Sequence, residues 1–128
     1  MALRCPKCGG PVRPHPESLE CEECGWSKEL SGRPRRSTRL KWAKEYATRV
    51  LREEFDDCGV VKVFVRGPRG PRGDEYLAAT VYVEDHHKAI GKEGKRVKEV
   101  EERLREICEE LDVPPVRITI QPASQAPD

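Results

Sequence analysis

Asparagine is absent from this chain of 128 residues, and glutamine occurs only twice, at Gln121 and Gln125. With thermolabile amides nearly missing and arginine and glutamate abundant, the composition suits a protein from a hot environment. Apolar residues are also scarce, at 36% hydrophobic against 37% charged. No stretch approaches the ~20 consecutive apolar residues of a membrane-spanning helix, so no such span is expected. Nor does an apolar leader stand between Met1-Ala2-Leu3-Arg4 and Cys5, and the expectation is a cytoplasmic protein with no membrane partner. A nucleophile–base signature and a Walker-type phosphate loop are missing as well, which argues against an enzyme. So little apolar area over this length allows one ordinary domain, or two small units of which one is stapled by a metal.

Neither sign of charge dominates: 24 Lys and Arg oppose 23 Asp and Glu, a net charge of +1. Simple polycation binding is therefore not expected, but the charges are grouped. Lys28 to Lys41 holds six basic residues and one acid, and His86 to Lys98 holds five and one. Glu99 to Asp112 reverses the balance, with seven acids and two arginines. Signed blocks in a nearly neutral chain present a local basic face without general stickiness.

Cysteine is what the chain does have. Cys5-Pro6-Lys7-Cys8-Gly9 and Cys21-Glu22-Glu23-Cys24-Gly25 are two Cys-x-x-Cys-Gly units. A two-residue gap lets both thiolates of a pair reach one ion, and the following glycine permits the turn that aims backbone N–H groups at sulfur. Four soft anionic sulfurs in a tetrahedron suit one Zn²⁺ ion, with iron as the rival metal. All four positions would be filled by Cys5, Cys8, Cys21 and Cys24, so the metal is expected to be structural. The segment resembles the zinc ribbons of transcription factors, ribosomal proteins and RNA polymerase subunits, in which Cys-Glu-Glu-Cys-Gly-Trp matches a common second knuckle. Trp26 either fills the small core or stacks on a base, and His15 is expected to be exposed. The remaining Cys58 and Cys108 read as small buried hydrophobes.

The chain divides into a cysteine module (1–30), a basic linker (31–38), a second domain (39–121) and a polar tail (122–128). Arg33, Arg35 and Arg36 make the linker self-repelling, and it serves either as an arm along a phosphate backbone or as a spacer. The two domains are expected to share only this linker. In the second, Leu40, Ala43, Ala47, Val50 and Leu51 form a helical stripe, with Thr38 as the expected N-cap. Val60 to Val65 reads as a strand with Val61, Val63 and Val65 on one face, and Gly67 to Gly73 as an irregular basic loop. Tyr76 to Val83 alternates as a strand, Asp85 to Ile90 is a short helix, and Val97, Val100, Leu104, Ile107 and Leu111 mark a long amphipathic one. Pro114-Pro115 stops that helix before a last strand, Val116 to Ile120. A crossover through helices implies parallel strands, and the expectation is an α+β fold: a small β ribbon, then a three-stranded sheet with helices on one face.

Between the short and long helices lies Ile90-Gly91-Lys92-Glu93-Gly94-Lys95-Arg96-Val97. This run resembles the I-G-x-x-G-x-x-I/V signature of the KH family, and the element order over 39–121 resembles its type II, NusA-like arrangement. The resemblance implies that the loop clamps about four nucleotides of single-stranded RNA. Gly91 and Gly94 would admit the sugar-phosphate chain, and the helix N-terminus would offer N–H donors. Lys88, Lys92, Lys95 and Arg96 would add charge. Glu93 stands where many family members carry a basic or neutral residue; facing a phosphate it opposes binding, turned away it favours the helix N-terminus. The groove wall would come from the central strand, with Tyr76, Tyr82 or Val83 facing it. The leading expectation is a protein that binds single-stranded RNA or rRNA, associated with the ribosome or with RNA polymerase and transcription. The alternative is an adaptor that docks on ribosomal or polymerase proteins without clamping RNA.

Overall fold

Alternation of apolar and polar residues builds β1 (Val12–Pro14) and β2 (Ser18–Cys21) of the first sheet, and the polar, exposed β3 (Ser27–Glu29) completes it. They pair antiparallel in chain order, with Val12 opposite Cys21 and Pro14 opposite Leu19, all four buried. The computed structural model describes residues 3–127, and its class is α+β, with a second three-stranded sheet and two long helices beyond this one. No described helix is long and apolar enough to cross a membrane.

Helix α1 (Arg36–Glu54) begins earlier than expected. Arg35 takes the N-cap position without a side-chain bond, and Thr38 lies inside the helix. Arg39 holds this start instead: its Nε donates to the Pro34 carbonyl (3.1 Å), and its Nη1 donates to the carbonyls of Leu111 (2.8 Å) and Asp112 (3.0 Å). Those carbonyls close helix α3 (Lys95–Glu110), where a cation is favoured by the helix dipole. One arginine therefore fastens the start of one helix to the end of the other, and 31–38 is a linker only as far as Arg35.

The second sheet has the order β4 (Val60–Arg69), β5 (Tyr76–Val83), β6 (Val116–Pro122), with β5 antiparallel to β4 and parallel to β6. Leu77, Ala79, Val81 and Val83 of β5 are buried under the helices, as their alternation demands. The expected loop at Gly67 is partly overturned, because β4 runs on to Arg69 through a bulge. Gly67 permits this at φ 125°, where a Cβ would stand 2.9 Å from the Tyr76 carbonyl, and an edge strand tolerates the following proline. A second irregularity between Val60 and Lys62 breaks the expected valine face: Val63 is buried, but Val61 is 43% exposed.

After β5 comes α2 (His86–Ile90), capped by Asp85, whose Oδ1 accepts from the Lys88 N–H at 3.1 Å. Helix α3 buries Val100, Leu104, Ile107 and Cys108 and ends where Asp112 turns to φ 54° and the Val113 N–H reaches the Cys108 carbonyl at 3.0 Å.

The two halves share more than a linker. On α1 the stripe Ala43, Ala47, Val50 and Leu51 is joined by buried Trp42 and Tyr46, and the buried cluster continues through Cys5, Val12 and Leu19 of the first sheet. Polar contacts rim this seam. The Leu3 N–H donates to Glu45 (3.2 Å), Arg49 pairs with Glu22 (2.7 Å), and Arg13 pairs with Glu110 of α3 (3.2 Å). The expected independence of the two units is thereby corrected, since small units gain apolar burial by packing on each other.

Candidate functional site

The sulfurs of Cys5, Cys8, Cys21 and Cys24 lie within 4.8 Å of one another, brought together by the turns before β1 and after β2. A tetrahedron with ~2.3 Å metal–sulfur bonds has edges of about 3.8 Å. The Cys5–Cys24 and Cys8–Cys21 separations, both 3.5 Å, are near that edge and far longer than a disulfide. Backbone N–H groups of Lys7, Gly10 and Cys24 point at Cys5, Cys8 and Cys21, each at 3.4 Å. Against desolvation, hydrogen bonds from the Cys8 and Lys7 N–H groups and from the other thiols draw the Cys5 thiol down to about 7. At Cys8 the Gly10 N–H is outweighed by the Cys21 hydrogen bond and desolvation, which push it up to about 12. Four sulfurs packed this closely share protons, and a single metal ion is the charge that would replace them. The donor set fits one ion and is closed. Trp26 is half-buried against the core, and His15 is also half-buried, within 3.8 Å of Glu110.

The glycine loop lies between α2 and α3. Gly91 has φ 77° and ψ 178°, a conformation open essentially only to glycine, and a Cβ there would stand 2.8 Å from the Arg96 Cβ. Gly94 is left-handed at φ 73° with open space around it. Between them Glu93 is itself left-handed, at φ 56°, with its side chain exposed. Helix α3 starts at Gly94 without a side-chain cap; the Lys95 N–H donates to the Lys92 carbonyl, and the other first-turn N–H groups are the ones an anion would meet.

The seven expected contact residues of this turn are brought together, but their charges divide. Lys92 and Lys95 are exposed, Lys95 lying 4.0 Å from Glu99. Lys88 pairs with Asp57 at 3.4 Å, and the Arg96 guanidinium is turned inward onto Asp57 and over the Phe55 ring. The linker arginines are elsewhere. Arg33 pairs with Asp112 (3.4 Å) and Arg36 with Glu75 (3.3 Å), at the start of α1 and the far end of α3 from the loop. The 16 residues of α3 separate the two groups by roughly 24 Å. Exposed pairs of this kind contribute about 0–1 kcal/mol, so these carboxylates hold the arginines only weakly. Arg35 is exposed.

Of the candidates for a groove wall, Val83 is buried in the core, while Tyr76 and Tyr82 face away from the helices on the open side of the sheet. Asp57 was missed by sequence reasoning: one acid among several at the end of a helix carries no motif, and only the fold sets it under Arg96. Cys58 and Cys108 are buried, and desolvation pushes the Cys108 thiol up to about 11, in keeping with small core residues. No protein-family model matches the chain, and no curated protein matches it either.

Proposed function

We propose that this chain binds single-stranded RNA through the Gly91–Gly94 loop of a KH-type domain, and that its four cysteines hold one structural Zn²⁺. The observation that carries the RNA reading is the loop itself. Two glycines in left-handed backbone, one of them pressed against α3, bare the main chain beside an uncapped helix N-terminus and two exposed lysines. An extended polyanion fits that combination, because phosphate oxygens take N–H donors while the missing side chains admit the sugar. The strand order, with β5 antiparallel to β4 and parallel to β6, supports the type II KH arrangement. Four thiolates with no open position favour zinc in a structural role. A ribosomal or transcriptional setting follows from both resemblances together.

Replacing Lys92 and Glu93 together by Asp sets two carboxylates where phosphates approach and leaves both glycines in place. Titration of the metal-loaded protein with an unstructured oligonucleotide is expected to show a loss of tenfold or more, about 1.4 kcal/mol per decade. Wild-type binding is expected to weaken as salt rises. Equal affinity in the double variant would falsify the clamp and put the protein-adaptor reading first. Native mass spectrometry is expected to show one zinc per chain, and a chain carrying iron or no metal would overturn that assignment.

A further inference from the structure

The open face of the second sheet carries a pattern that neither the cysteine cluster nor the glycine loop uses. On β4 and β5 the residues pointing away from the helices pair as Lys62 with Tyr82, Phe64 with Thr80, Arg66 with Ala78 and Arg69 with Tyr76. Arg117, Thr119 and Gln121 of β6 extend the same face beside Ala78, Thr80 and Tyr82. These outward positions hold four cations and no carboxylate. In a chain of net charge +1, that is a marked local excess.

The aromatic rings on this face are organised with the cations. Phe64 and Tyr82 meet edge to face, with ring centroids 6.1 Å apart. The Arg66 guanidinium lies 5.2 Å over the Phe64 ring, and that of Arg117 lies 4.6 Å over the Tyr76 ring. Phe64, Tyr82, Arg66 and Arg69 surround a floor of Ala78 and Thr80, an open cleft of about 380 Å³. Pro127 stands at its rim, where its carbonyl accepts from the Lys62 Nζ.

Aromatic rings and guanidinium planes over a floor of small residues offer flat stacking surface, and the surrounding cations offer phosphate contacts. Single-stranded nucleic acid meets both demands at once, since every base has a π-face and every linkage a charge. A second copy of this chain does not, because two such faces would set cation against cation.

We propose that this sheet face is a second contact surface for single-stranded RNA, separate from the glycine loop. Phe64 and Tyr82 stack bases there, while Arg66, Arg69 and Arg117 meet phosphates. The inference rests on the RNA-binding reading for the class of ligand, but not for the site.

The test is photocrosslinking of the full metal-loaded chain to a 4-thiouridine oligonucleotide, with adducts mapped by mass spectrometry. The same oligonucleotide is titrated against wild type, Phe64→Leu/Tyr82→Leu and Lys92→Asp/Glu93→Asp. Both sheet substitutions lie on the open face, so circular dichroism and Tm are expected to be unchanged. Adducts on the segment from Val60 to Val83 are expected, together with a tenfold or greater affinity loss in the leucine variant. Phe64→Tyr, which keeps a ring, is expected to bind like wild type. Adducts confined to 86–96, with full affinity in the leucine variant, would overturn the sheet surface and leave the loop standing. Sheet adducts that persist at full affinity in the aspartate variant would uphold the sheet and remove the loop. No binding by wild type overturns both, and a wild-type dimer that the leucine variant breaks without loss of RNA affinity overturns the sheet surface in favour of self-association.

Discussion

Arg96, in the first turn of α3, is fastened to the carboxylate of Asp57, in the turn after α1. One guanidinium nitrogen lies 3.2 Å from the Asp57 Oδ2, and the other donates to its Oδ1. The same side chain donates to the carbonyls of Glu54 (2.6 Å) and Lys88 (3.3 Å). A planar fork of five donors is what such a junction needs, and lysine could not reproduce it. Three elements around the glycine loop are held through these two residues, so Arg96 orients the loop and leaves Lys92 and Lys95 as its exposed charge.

This pair makes the loop sensitive to acid. Hydrogen bonding from Arg96, against some desolvation, and the nearby Arg96 and Lys88 charges hold the Asp57 carboxyl down to about 2. A depressed folded-state pKa means that the stabilisation is complete above the ordinary aspartate value of about 3.9 and is lost as pH falls towards 2. The Asp57 carboxyl carbon, followed by NMR, is expected to titrate near 2. A midpoint near 3.9 would show that the pair does not hold in solution.

The two loop glycines should differ in cost. Gly94→Ala meets open space and is expected to lose about 1–2 kcal/mol to left-handed backbone alone. Gly91→Ala adds a clash with the Arg96 Cβ and is expected to lose more, with displacement of α3's first turn. Denaturant titration of both variants reads the order, and equal losses would remove Gly91 from its packing role.

Glu93→Lys replaces an exposed acid beside the proposed phosphate path with a base. RNA affinity is expected to rise several-fold, with the salt dependence steepening by about one phosphate contact. Affinity and slope equal to those of wild type would mean that Glu93 points away from the RNA.

Trp42 is 3% exposed at the seam between the two sheets' layers. Trp42→Ala is expected to cost about 3–5 kcal/mol and to lower the melting of both halves together. Removal of the metal by a chelator is likewise expected to lower the Tm of α1 and the second sheet, because the cluster from Cys5 and Val12 to Trp42 and Tyr46 is continuous. Two separate transitions, with the second sheet's unmoved, would refute the shared core.

Much of this architecture was legible in the residues. The doubled Cys-x-x-Cys-Gly spacing specified a four-sulfur site because ligand spacing is a local property. Val97, Val100, Leu104, Ile107 and Leu111 specified α3, and Leu77 to Val83 specified the central strand, because one buried face imposes its own period. The glycine loop was legible in residue type, because glycine favours the positive φ of Gly91 and Gly94, whereas the positive φ of Glu93 between them was not.

What sequence did not determine was decided by contacts between elements distant in the chain. Trp42 and Tyr46 lie off the expected stripe of α1, yet both are buried in the cluster that continues into the first sheet. The helix start moved to Arg36 because Arg39 found carbonyls at the end of α3, 72 and 73 residues away. Arg96 and Arg36 resemble phosphate ligands in sequence, and only the fold supplies the acids, Asp57 and Glu75, that hold them. The open sheet face was hidden too. Its aromatic and basic residues alternate with core residues on three strands, and only pairing in register brings them onto one surface.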